Sequence, residues 1–237
     1  MVAERTARLV EAAATAAAGA ALAGAVGGRL GMARELAAIG ALNGAVSGWR
    51  GIYDWRSRRG VGGFLLDSTW ALATTAGALG SHAIAIVRGR AGYEASLSHR
   101  QGHHVYARGF QPRRGFLITV GNVISGAGDT TRQRRRELVH VHEDAHVWQA
   151  RWLGPAYPLL YAGWMAAGAA AGPVVWLVRG RREPLFRVVE TCAYYLNPFE
   201  WWAYSRDDRW PPGGAVAGLG WRRPLVTASG RTPPAPR

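Results

Sequence analysis

The sequence predicts a mainly α, membrane-associated helical protein with one small α+β unit, and three features carry that expectation. The stretch 156–178, AYPLLYAGWMAAGAAAGPVVWLV, has no charged residue and is long enough to cross the roughly 30 Å hydrocarbon core of a bilayer. Residues 7–48 are dominated by Ala and Gly, a composition that favours helix and lets helices approach closely. Between the apolar runs lies a polar region in which a β-branched segment precedes a helix-period stretch bearing HEDAH, residues 142–146.

Residues 1–62 open with MVAERTARLVEAAATAAAGAALAGAVGG, a charged start before small apolar residues. Glu11 interrupts the run and the same composition continues through ELAAIGALNGAVSG, so the segment reads as helix and not as a cleaved leader. Gly24 and Gly28, with Ala20 one step earlier, have glycine-zipper spacing. The expectation is a helical hairpin broken near 27–31, through which copies of the chain can self-associate; plain Ala-rich helix is the alternative. Residues 63–88 form an apolar helix that can cross a membrane, although Asp67 and His82 interrupt it. Residues 89–210 form the unit that carries chemistry, with 156–178 inserted as the clearest span; a buried hairpin helped by Gly172 and Pro173 is its alternative. Arginines flank both spans on both sides, so orientation stays open. The tail 211–237 is rich in Pro and Gly without periodicity and is expected to be disordered.

All 29 basic residues are Arg, and the formal charge is +14. They are spread along the chain without an aromatic-basic signature, so the expected partner is a lipid bilayer and no nucleic acid. Cys192 is the single cysteine, so any metal must sit on His and carboxylates.

GFLITVGNVISG, 115–126, reads as a tight hairpin about Gly121–Asn122 or as one strand with a bulge. The following helix is expected over 131–153, capped by Asp129 or Thr130 with Gln133 closing a box onto Thr130, and stopped by Gly154–Pro155. At 100° per residue His142 and His146 lie 40° apart, within reach of one ion. Glu143, 100° round from His142, can touch a metal-activated water without being a ligand. His140 is turned away. The alternative is a pair of core histidines, each satisfied by a carbonyl. A third ligand is needed to leave one open position on tetrahedral zinc, and the candidate is Glu200 in YYLNPFEWWAY. Asn197 caps that helix and Pro198 starts it, so Glu200 can equally close the cap. Glu190, on an apolar helix, is the reserve ligand.

HEDAHVWQ followed by NPFEWWAY resembles the gluzincin metallopeptidases, most closely those embedded in membranes, where HExxH on one helix is completed by a Glu on a later one. The resemblance implies a zincin-like unit with Zn2+ as cofactor, His142, His146 and Glu200 as ligands, Glu143 as general base, and a strand in 115–126 that pairs with an extended peptide or protein substrate. DSTW at 67–70, ITVGNVISG and GPAYPLLYAGW also resemble segments of small bacterial proteins, over most of residues 10–205, which implies a bacterial cytoplasmic membrane. Two departures stand out: Glu200 lies 54 positions after His146 with an apolar run between them, and no motif places an oxyanion donor. Tyr204, His103, His104 and Arg206 are the candidate donors. Two readings follow: a zinc-dependent membrane metallopeptidase, or a non-catalytic glycine-zipper membrane protein with a structural or vestigial metal site.

Overall fold

The computed structural model describes residues 2–87, 91–111, 115–207 and 210–226. The chain divides into two compact units, Met1–Tyr157 and Pro158–Arg237, so the expected 89–210 unit is shared between them. It is mainly helical, with one small mixed sheet.

The first unit begins with α1 (Val2–Gly28) and α2 (Ala33–Arg50), packed against each other. Their closest approach is not at the expected zipper positions. A Cβ on Gly28 would meet nothing within 4 Å, and one on Gly24 would make ordinary contact. The backbones touch instead where Gly19 meets Gly40 and where Gly44 and Gly48 meet Thr15; a Cβ on Gly44 would lie 2.2 Å from the Thr15 carbonyl oxygen. Thr15 seals the seam by donating to the Gly44 carbonyl at 2.7 Å. The small residues of α2 are thus consumed within the chain. Gly44→Ala is therefore expected to cost about 1–3 kcal/mol by forcing the helices apart, and Gly28→Ala to stay within about 0.5 kcal/mol of wild type. Thermal unfolding of both in one detergent checks this, and equal melting temperatures would refute the seam.

Helices α3 (Arg58–Asp67) and α4 (Leu72–Val87) meet at 89°, so 63–87 is not the single straight span expected from its apolarity. The physical reason is Asp67, whose carboxylate ends α3 in a buried ion pair with Arg151. Among the described residues, two helices are long and apolar enough to cross a membrane, α1 and α8 (Ala156–Val178), which points to membrane association.

After α5 (Ala95–Ser98) come β1 (His104–Tyr106), β2 (Ile118–Val120) and β3 (Val123–Ser125), in the order β1-β3-β2, with β1 parallel and β2 antiparallel to β3. Of the two readings of 115–126, the hairpin forms: Gly121 adopts φ 55 at the first central position of a two-residue turn. Strand alternation gives the sheet two working faces. Val105 and Ile124 pack with Val139 and Val147 of the site helix, while Tyr106 and Val123 pack with Ala78 and Ala85 of α4. Thr119 pairs with Ile124 and shares the face that meets the site helix.

That helix is built from α6 (Gln133–Glu137), a π-helical turn (Leu138–Glu143) and α7 (Asp144–Leu153). Its expected cap is corrected. Asp129 accepts from the backbone and hydroxyl of Thr131, Thr130 donates to Glu94, and Gln133 bonds Glu137. With Asp129 committed to a local Asx turn, the helix starts at Gln133 without a side-chain cap. Gly154 (φ 52) stops α7 as expected.

In the second unit, α8 packs on α9 (Leu185–Glu190) and the π-helical turn Thr191–Tyr195 through Gly168 and Gly172. A Cβ on Gly168 would lie 2.3 Å from the Cys192 carbonyl oxygen. Helix α10 (Pro198–Arg206) follows. Residues 210–226 contain no helix or strand, yet Val216 is buried with Val188 and Cys192, and the Trp221 ring stacks on Trp201 at 4.2 Å. The expectation of disorder for 211–237 therefore does not describe 211–226; 227–237 lie outside the described residues.

Candidate metal centre

The π-helical turn carries His142 and Glu143, and α7 carries His146 one turn on. A π turn is uncommon and frequently marks a functional site. The Nε2 atoms of His142 and His146 lie 3.3 Å apart. Two nitrogens each about 2.0–2.1 Å from a tetrahedral zinc would be about 3.3–3.4 Å apart, so the pair has the spacing of a preformed two-histidine site. The His146 tautomer fits as well. Its Nδ1 is 2.8 Å from the Gln149 Oε1 acceptor, and in the tautomer that donates to this oxygen Nε2 presents a lone pair towards His142. The Tyr157 hydroxyl closes this arrangement, 3.2 Å from the same Nδ1 and donating to Gln149 Oε1 at 3.3 Å.

Glu143 is buried and its Oε2 accepts from the Thr119 hydroxyl at 2.7 Å. This bond follows from the sheet, because Thr119 sits on the face turned to the helix. Asp144, between the histidines, bonds Arg59 and lies 3.5 Å from His103 Nδ1. Burial works against its charge, but the His103 and Arg59 contacts outweigh that and hold the carboxyl below its ordinary value.

In the second unit, Asn197 Oδ1 accepts from Phe199 N at 3.1 Å and so caps α10 by itself. The Glu200 carboxylate accepts at Oε1 from Tyr161 at 2.7 Å, and it is buried. The Asn197 backbone N–H, the donor that a capping-box Glu200 would accept from, instead donates to the Tyr194 carbonyl at 3.0 Å. Among the described residues His142, His146 and Glu200 form a group that can hold a metal ion, with one ligand atom from each all within 4.8 Å of one another. Two imidazoles and one carboxylate leave a coordination position open, which is a donor set of catalytic zinc.

The other expected site residues have the following surroundings. Glu190 ends α9, half-buried and outside this group. His103 faces Asp144. His104, on β1, has Nε2 against Ser47 and Nδ1 against Tyr93; burial, then its cationic neighbours, pushes its pKa well below 6.5 and keeps it neutral. Tyr204 packs on Tyr194 and Tyr195, and Arg206 closes the last turn of α10. Sequence reasoning missed Thr119, Gln149, Tyr157 and Tyr161. Signals existed for three of them: Gln149 stands three positions after His146, and Tyr157 and Tyr161 are four apart on one helix.

No family model, curated protein or solved structure matches the chain.

Proposed function

We propose that the chain is a zinc-dependent metallopeptidase of a bacterial cytoplasmic membrane, hydrolysing a peptide bond with water activated at His142, His146 and Glu200. The observation that carries the reading is the buried His-His-Glu group beside a carboxylate, Glu143, that contributes no ligand to it. A zinc ion held there would supply a Lewis acid that brings the pKa of a water towards 7 and polarises a carbonyl. Glu143 takes the proton of the attacking water and returns it to the leaving amine. Thr119 holds Oε2 of that carboxylate, which leaves Oε1 for the water. Strand β2 is at the sheet edge, and Thr119 forms the pair between the two hydrogen-bonded ones of the hairpin, so its N–H and C=O point outwards for an extended peptide.

The second reading, a non-catalytic metal site in a membrane protein, is favoured by the burial of all three ligands. One experiment separates the two. Zinc-loaded full-length protein in detergent is screened against a peptide library beside Glu143→Gln. The proposal expects cleavage that falls by about 10²–10⁴-fold in the variant while zinc content is unchanged. Zinc bound without cleavage in wild type hands the protein to the second reading, and cleavage that survives in Glu143→Gln removes Glu143 as the base.

A further inference from the structure

The apolar helix α8 carries two hydroxyls in its first turns, and each is bonded to a different member of the ligand group. Tyr157 stands 3.2 Å from Nδ1 of His146, the nitrogen opposite the one that faces His142, and it also donates to Gln149, the acceptor for that same Nδ1. Tyr161, one helical turn further, donates to Oε1 of Glu200 at 2.7 Å. Positions four apart lie on one face of a helix, so a single face of α8 reaches both contacts.

We propose that Tyr157 and Tyr161 are the outer positioning residues of the metal site and that, through them, metal affinity depends on how α8 is seated. The inference rests on the metal reading above. Its chemistry is specific. A metal-binding imidazole whose far nitrogen is held by hydrogen bonds is locked in ring angle and tautomer, and a hydrogen bond to one carboxylate oxygen fixes the orientation of the group and favours binding through the other. His146 has the first kind of partner in Gln149 and Tyr157, and Glu200 has the second in Tyr161. A monodentate Glu200 leaves the open position that a water needs. Both tyrosines lie at the start of a 23-residue apolar helix long enough to span a bilayer, so a tilt or slide of α8 in the membrane displaces both hydroxyls together.

The test is a metal titration of the full chain. Wild type, Tyr157→Phe, Tyr161→Phe and the double variant are stripped with chelator in one detergent. They are then titrated with Co2+, followed by its d–d absorption, and with Zn2+ against a chromophoric chelator. Thermal unfolding of the metal-free proteins checks that each variant is folded. Each single variant is expected to bind about 10–100-fold more weakly with altered Co2+ bands, and the double variant more weakly still. Wild-type affinity and bands in either single variant would overturn the proposal while leaving the metal site standing. No binding by wild type would remove the metal reading and this inference with it.

Discussion

Wild-type protein purified in detergent without a histidine tag is expected to carry one zinc per chain, and His142→Ala and Glu200→Ala are each expected to carry none. The Nε2 atoms of His142 and His146 are already 3.3 Å apart, with the His146 lone pair turned inwards by Gln149. A catalytic site of this donor set has three protein ligands, so removing one leaves two and no tetrahedral cage. A histidine pair that is merely core packing predicts something different. There the two rings share one N–H···N bond, and His142→Ala costs about 1 kcal/mol for that bond plus the lost packing, with no metal in any sample. Elemental analysis by mass spectrometry on the three proteins decides between them. An empty wild type, even after reconstitution with zinc, makes HEDAH an ordinary stretch of helix.

The largest effect on stability is expected at Arg151 and Asp67. Both side chains are 2 % exposed, and they meet through Nε to Oδ1 at 2.9 Å and Nη2 to Oδ2 at 2.7 Å. Burial works to strip the charge from Arg151, and the Asp67 carboxylate outweighs it, so Arg151 stays charged. Arg151 also donates to the Gly102 carbonyl, and Asp67 accepts from Tyr53 at 2.9 Å and Asn122 at 3.3 Å. Burial, reinforced by the Asp67 charge, drives the Tyr53 pKa far up, so that hydroxyl remains a donor. Asp67 thus ties α3, α7, the hairpin turn and the segment after α2 to one point. Removing either charge leaves the other buried and unpaired, a loss of about 3–5 kcal/mol. That corresponds to a melting temperature lower by roughly 6–20 °C. Replacing the pair together, Asp67→Leu with Arg151→Met, is expected to cost less than the sum of Asp67→Ala and Arg151→Ala, because neither charge is stranded. It does not return to wild type, since Tyr53, Asn122 and Gly102 lose a partner. Single variants melting within 2 °C of wild type would show that the network carries no weight.

Much of the helical content was legible because it follows from periodicity and punctuation. The break between α1 and α2, the hairpin at Gly121–Asn122 and the stop at Gly154 each have a local cause that a linear sequence displays. The errors had non-local causes. Gly24 and Gly28 have zipper spacing, but which glycines touch depends on how two helices rotate against each other, and that placed Gly19, Gly40, Gly44 and Gly48 in the seam. The apolar run 63–87 looked like one helix because its bend is set by Arg151, 84 positions from Asp67. The helix start moved because Asp129 found a nearer partner than the cap.

Of the candidate site, the sequence by itself determined the pairing of His142 with His146, since residues four apart on a helix share a face whatever surrounds them. It also marked 156–178 as apolar enough for a membrane, whereas α1, read as half of a helical hairpin, has the length and apolarity of a span as well. Only the tertiary structure decided that Glu200 is bonded by Tyr161, that Thr119 reaches Glu143 from a strand, and that Tyr157 stands behind His146. The physical reason is range. Helix periodicity and capping act over four residues or fewer, whereas the bonds that orient Glu143 and Glu200 join positions 24 and 39 apart, and such pairs are selected by packing.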